Sequence, residues 1–571
     1  RFPRVWAFHA WNMAYNISVA VPNADERWEW VKAGIELLRD EALVYNPNDV
    51  LIHKELAWLY VHKVQGFMDD ANRYYKRALA REWTEILGTP PDLPDDTELA
   101  IETMVEWLTP IVEAPNTLER VIEQERRAKL EMMPIEDREK VTDITTIRSH
   151  VREIVETVEA AEGVALDESL LRLIAYQIEM ERSWFTQDRI EEYYASLPNQ
   201  PVVALMTDPD YTDAWERFIP HLRKRVLIDN HKLEPARMVV YTQRYGPLDW
   251  RHPATHAVYW ASKGVEESLE RVSTTERTYV NTDRIVVHAL QELWRSGTIY
   301  FDFLSREGNY IARRNLHYTD SYGDVLEAII RPRATTVDST DRAFSLYSEG
   351  YENFQKEVIR VHYRLGNKQL ADKYLKDLAR SSWLNTNDPE RWITYGELSL
   401  DEFVAKQLAE DRFTIPYVAR TEITAAIEDG YLRGLLRGDT DKWIASYNYA
   451  KRVHRSYKQQ QELTTLADRQ AERMQELPPN IDEIAAEVFV GFIVSGQMQP
   501  WRARELWRGS PDSIKARAYD RLAVFISQSG MPKETFDLLF PEPPGVAAWR
   551  AELRRREAEN RKIGVEMERD S

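Results

Sequence analysis

Residues 50–80 read VLIHKELAWLYVHKVQGFMDDANRYYKRALA. Leu56, Ala57 and Tyr60 fall on one helical face, a turn follows from Gly66 to Asp70, and Ala71, Tyr75 and Ala78 return on a second helix. Two antiparallel helices approach closely only where one presents a small side chain and an aromatic fills the gap beside it. The stretch therefore predicts a helix hairpin. Upstream, Trp28, Val31, Ile35, Leu38 and Ala42 recur at three and four, as one buried face requires. Asn46-Pro47-Asn48-Asp49 ends that helix, and Asp49 supplies a cap for the next.

Downstream, Pro90-Pro91-Asp92-Leu93-Pro94-Asp95-Asp96 reads as a linker. The region after it is helical and charged. Ile147, Val151, Ile154 and Val158 make one apolar stripe, and Leu170, Leu173, Ile174, Gln177 and Ile178 a wider one. Between about 201 and 345, Met238-Val239-Val240-Tyr241 and Thr298-Ile299-Tyr300-Phe301-Asp302-Phe303 are β-branched and aromatic, and predict short strand pairing. A helix is expected from Ala254 to Ser268 after Pro253, with Ala257, Trp260, Ala261 and Gly264 along it.

From about 346 the hairpin pattern returns. Ile359, Gly366, Ala371, Leu375 and Leu378 carry one copy; Leu522, Ala523, Ile526, Gly530 and Leu539 carry the last. Gly438, Tyr447 and Ala450 fit a third, with Trp443 where a small residue is expected, and Gly496, Ala503 and Trp507 a fourth. Self-similarity near 34 residues is the mark of a helical solenoid. The expected fold is mostly α: a degenerate helical-repeat solenoid with a charged helical insertion and a mixed middle segment. The segments are 1–88 (helical pairs), 89–200 (Pro-rich linker and charged helices), 201–345 (mixed), 346–545 (repeats) and 546–571 (a charged helical tail, mainly Ala547 to Met567, after Pro541-Glu542-Pro543-Pro544).

The Leu–Ala–Tyr, Gly turn and Ala–Tyr–Ala order, with Pro47 closing the unit before, resembles the tetratricopeptide repeat. Arg1-Phe2-Pro3-Arg4-Val5-Trp6-Ala7-Phe8-His9-Ala10-Trp11-Asn12-Met13-Ala14-Tyr15-Asn16-Ile17-Ser18 is similar to the start of a group of large repeat proteins of planctomycete bacteria. Gly246-Pro247-Leu248-Asp249-Trp250-Arg251, His256-Ala257 and Trp260-Ala261 carry the same likeness in the middle. The resemblance implies a bacterial source and a repeat array after an N-terminal membrane segment. It carries over no catalytic residue.

Composition narrows the chemistry. The chain has 571 residues, 27 Pro, 21 Gly, 18 Trp, 28 Tyr and no Cys. The absence of Cys excludes disulfides, thiolate metal sites and a cysteine nucleophile. The net charge of −19 argues against a general nucleic-acid surface. The longest apolar run, Val488–Val494, suits a buried helix and not a membrane span. The chain starts at Arg1, so an upstream segment is expected, and a membrane link only through it.

No Walker-type loop, GxGxxG, HExxH or GxSxG is present. His252 and His256 have ligand-like spacing with Asp249 nearby, but Pro253 places the helix start between them, which favours capping or packing over metal. Arg437-Gly438-Asp439 coincides with a repeat turn, Asn16-Ile17-Ser18 lies inside an aromatic helix, and Asp95-Asp96 and Glu191-Glu192 read as solvated faces. No cofactor, metal site or catalytic group is expected.

Protein or peptide partners are expected instead. On the helix from Tyr351 to Arg364, Asn353, Lys356, Arg360, Tyr363 and Arg364 fall on the face that lines a solenoid groove. This basic stripe would hold an acidic or C-terminal peptide, unless Glu352 and Glu357 pair with it along the helix. Lys54, Trp58 and His62 occupy the equivalent face in the first region. The leading expectation is a non-enzymatic interaction scaffold. Two alternatives stand beside it. One is a ligand-binding or hydrolytic pocket at Asp249, Trp250, Arg251, His252 and His256. The other is self-association through an apolar surface at Val5 to Trp11.

Overall fold

The computed structural model describes residues 2–182, 187–268, 277–304, 310–334, 342–381, 394–409, 415–467, 477–494, 498, 500–528 and 531–569. They are predominantly helical and divide into two compact units, one up to Val325 and one from Leu326 on. Among the described residues no helix is long and apolar enough to cross a membrane.

In the first unit, the helices that start at Pro3, Ala24 and Val50 each run on through a widened π-type stretch, at Asn12–Ile17, Leu37–Ala42 and Leu59–Val64. Asp49 caps Val50–Trp58 as expected, its carboxylate accepting from the amides of Leu51 and Ile52 at 3.0 and 3.2 Å. Gly34 allows Ala24–Glu36 to lie against the first helix: a Cβ there would sit 2.8 Å from the carbonyl of Ala10. The hairpin turn before Asn72–Leu87 is tied by Asp69, which accepts from Lys63 Nζ at 2.5 Å, the Ala71 amide at 2.9 Å and Tyr75 Oη at 3.1 Å.

The charged region forms the helices Thr97–Glu113, Leu118–Met132, His150–Glu159, Glu168–Glu181 and Gln187–Ser196. Ile147, Val151, Ile154 and Val158 are all buried, as their spacing requires. Met238–Tyr241, expected to be strand-like, lies instead in the helix Pro235–Tyr245. Pro235 starts that helix, and Met238 and Tyr241, three apart, are buried where it packs on Thr97–Glu113. Thr298–Phe301 does pair antiparallel with Tyr310–Arg313.

The helix Pro253–Ser268 forms the centre of the unit. Every residue from Pro253 to Ser262 is buried, and the helix packs on Val50–Trp58 and Arg277–Ser296. Its approach to the former is set by Gly264, where a Cβ would stand 2.4 Å from the Cβ of His53.

In the second unit Arg342–Arg364 and Lys368–Arg380 form a hairpin that turns at Gly366, whose φ is +78°. Pro416–Asp429 pairs with Thr440–Ala467. Trp443, the large residue at a small-residue position, is accommodated by its partner. Cβ atoms at Gly430 and Gly434 would fall 2.9 and 2.8 Å from it, so the small side chains have moved across the interface. Gly438 is left-handed at φ +70°, and Asp439 accepts from the Lys442 amide, so Arg437-Gly438-Asp439 is a turn and a cap. Gly496 and Gly530 lie outside the described residues. The tail helix Val546–Arg569 docks on Asp512–Gln528, with Trp549 under the Arg517 guanidinium at 4.7 Å.

Replacing Gly264 with alanine forces two backbone-anchored side chains apart and should destabilise the protein by about 1–3 kcal/mol in denaturant titration. Gly491→Ala, in a helix with open space around the site, should stabilise by up to about 1 kcal/mol. Equal effects of the two would contradict the close approach.

Candidate functional site

The Asp249–His256 segment is filled with its own side chains. Gly246, at φ +122°, lies where a Cβ would meet the Tyr318 ring at 2.9 Å, and Tyr318 Oη donates to the Pro247 carbonyl at 2.8 Å. The Asp249 carboxylate accepts from the Arg251 amide at 3.0 Å and its guanidinium at 2.7 Å. His252 precedes the helix and caps it, Nδ1 accepting from the Ala254 amide at 3.1 Å. Ser296 Oγ gives its proton to the Glu292 carbonyl at 2.7 Å, so it accepts from His252 Nε2–H at 3.0 Å. His256 donates Nε2–H to the Trp250 carbonyl at 2.8 Å, because a carbonyl only accepts. Its ring packs on Tyr60 and Trp83, with centroids 4.7 and 4.5 Å away. His256 Nδ1 and Trp250 Nε1 make no hydrogen bond among the described residues.

Both imidazoles are thus neutral Nε2–H tautomers, and burial lowers each pKa to about 3. Their Nε2 atoms serve separate acceptors and Asp249 is held by Arg251. Among the described residues no three His, Asp or Glu side chains are grouped to hold a metal ion. Trp83, Trp250, Trp260 and Tyr259 occupy the space that a pocket would need.

The basic stripe is interior. Arg364 donates to Asp429 at 2.6 Å and lies 3.3 Å from Glu422; Arg360 lies 3.4 Å from Glu422. Lys356 pairs with Glu352 at 2.8 Å and stands over the Tyr395 ring. Tyr363 donates to Asp401 and accepts from Arg452 at 2.8 Å. Of the five residues Asn353 is exposed. The stripe faces carboxylates of Pro416–Asp429, some 60 residues further along the chain, and the pairing of Lys356 with Glu352 is the expected bond along the helix.

Lys54, Trp58 and His62 lie half-buried on the first unit. Trp58 stacks on His62 at 4.5 Å, Tyr15 shares a 2.8 Å hydrogen bond with His62 Nδ1, and Trp11 stacks on Tyr15 at 5.6 Å. Lys54 is held by Glu55 at 2.5 Å. Trp58 is therefore covered by the chain's own aromatics. At the start of the same ladder Val5, Phe8 and Trp11 are exposed.

The charged region holds a cleft whose residues no motif in the sequence singles out. Residues 89–200 hold 26 Asp and Glu against 11 Lys and Arg, so −15 of the chain's −19 lies there. A cavity of about 750 Å³ opens between His150–Glu159 and Gln200–Thr207. Ala160, Pro198, Pro201 and Leu205 supply its apolar wall; Glu153, Glu156, Glu162, Asn199 and Tyr211 supply its polar groups. Arg148 holds Glu153 in a fork at 2.6 and 2.8 Å, and that hydrogen bonding keeps its carboxyl at about 2. Glu156 and Glu162 are exposed and form no ion pair among the described residues. Asn199 is 8% exposed, and its side chain makes no hydrogen bond among them. The signal was present in the sequence: Glu153, Glu156 and Glu159 run three apart beside the buried Val151, Ile154 and Val158 face. No family model matches the chain, and no curated protein or solved structure is found to be similar to it.

Burial also lowers His53, to about 4. The unfolded chain protonates these three imidazoles below about pH 6.5 while the folded one does not. Their contribution is complete above that pH and is lost as pH falls, down to about 4 for His53 and about 3 for His252 and His256. By about pH 5 each costs about 2 kcal/mol. Unfolding midpoints measured from pH 7.5 down to 4.5 should fall steeply, and His256→Gln should remove about one proton from the slope. A flat profile above pH 5 would contradict the burial of neutral rings.

Proposed function

We propose that the chain is a non-enzymatic protein–protein interaction scaffold and that its acidic cleft receives a basic segment of a partner. One observation carries the reading. The segment with the most catalysis-like residue set, Asp249–His256, spends its polar groups on capping and packing, whereas Glu156 and Glu162 form no ion pair among the described residues and stand beside an apolar wall. A Lys or Arg side chain suits such a wall, because its aliphatic stem lies along Pro198, Pro201 and Leu205 while its charged head reaches the carboxylates. The tetratricopeptide-like solenoid, the bacterial source and a membrane link through a segment outside this chain belong to the same proposal. They rest on the repeat order at 50–80 and on the N-terminal resemblance.

A fluorescein-labelled Lys- and Arg-rich peptide, followed by anisotropy at low salt, tests the cleft. Glu156→Gln with Glu162→Gln should weaken binding about three- to tenfold. Glu102→Gln with Glu106→Gln, which removes the same charge from another exposed helix, should have little effect. Equal losses in both pairs would reduce the interaction to diffuse attraction and overturn the reading.

A further inference from the structure

The helix Thr212–Asp229 packs on Thr97–Glu113, Leu118–Met132 and Asn72–Leu87. Most cations along it are accounted for. Arg217 pairs with Asp213 at 3.0 Å, Arg225 with Asp229 at 3.5 Å, and Lys224 donates to the carbonyls of Val112 and Ala114 at 3.0 and 2.6 Å. Arg223 differs. Among the described residues no carboxylate pairs with it and no acceptor takes a hydrogen bond from it, and its Nε is buried without a partner. Its desolvation is severe enough to lower the guanidinium pKa to about 10. It is still charged at neutral pH.

The Nε of Arg223 is shut away from water without a partner among the described residues while the residue as a whole reaches the surface, which leaves its N–H donors for an acceptor from outside the chain. The surroundings fit that role. The Arg223 Nη2 lies against Gly88, where a Cβ would stand 3.0 Å away, and Gly88 has a φ of +82°. With no side chain there, Nη2 packs directly on the Gly88 backbone, an approach that a Cβ would crowd. Arg223 as a whole is part-exposed. Beyond Gly88 the Thr89 hydroxyl is committed to Glu179 at 2.7 Å, and Pro90 and Pro91 have no amide protons and hold the loop extended. The C-terminal end of Asn72–Leu87 offers Arg223 a favourable dipole but no hydrogen bond. What remains is a planar fork of N–H donors with no acceptor among the described residues.

We propose that Arg223, beside Gly88, is a recognition site for one oxyanion group, a carboxylate or a phosphate, gripped through the guanidinium fork. The site is independent of the acidic cleft and of the scaffold reading. Its chemistry is bidentate N–H···O bonding, which Lys does not reproduce.

The Arg223 Nε–Hε resonance tests this directly. It is assigned in the wild-type chain by through-bond correlation from the Arg223 backbone and followed while inorganic phosphate or acetate is added to the full chain, with sodium chloride as the matched ionic-strength control. A saturable shift with phosphate or acetate, absent with chloride, is expected. Calorimetry should then show the same anion binding at least tenfold more weakly to Arg223→Lys. A stronger response to phosphate assigns a phosphoryl group, and a stronger response to acetate assigns a carboxylate. A shift that never saturates, or one matched by chloride, overturns the site. The wild-type titration decides this even if the variant does not fold.

Discussion

The close approach of Pro253–Ser268 to Val50–Trp58 is the constraint on which the first unit depends. A helix buried from Pro253 to Ser262 has to satisfy its polar groups internally and needs small side chains at its crossings. Gly264 lets His53 in, and His53 in turn bonds the Pro47 carbonyl at 2.8 Å, which fixes the turn before its own helix. His252 closes the amide end of the buried helix, and His256 bonds back to the Trp250 carbonyl of the loop that leads into it. The residues that most resemble a catalytic set are the ones this burial needs.

The second unit solves a related problem with charge. Arg360 and Arg364 are almost wholly enclosed and share Glu422, with Asp429 beside them and Tyr449 Oη also on Glu422 at 2.8 Å. Breaking such a network leaves an uncompensated charge, so these cations hold helices together rather than wait for an acidic ligand. Arg223 shows the opposite balance. It is part-exposed and has no carboxylate partner among the described residues, and that contrast within one molecule makes it chemically open.

The sequence revealed local rules well. The cap at Asp49, the turn at Gly438, the Pro253 helix start and the Thr298–Phe301 strand are governed by neighbours in the chain, and each is found where composition and spacing put it. Met238–Tyr241 misled because β-branched composition is a weaker signal than a Pro start and a buried face at spacing three. The basic stripe misled in another way. Periodicity places residues on one face but does not say what covers that face, and the covering carboxylates lie far along the chain. Trp443 required knowing that two glycines sit across the interface. The acidic cleft and Arg223 were hidden for the same reason, since both are defined by a missing partner in space.

The imidazoles of the middle segment are structural. Long-range ¹H–¹⁵N correlation of histidine side chains, recorded at neutral pH and again near pH 5 with and without zinc, tests this most directly. His252 and His256 are predicted to remain neutral with the proton on Nε2 throughout, and zinc should leave both unmoved. Conversion of either ring to imidazolium across that range, or a zinc-dependent shift of both, would contradict it.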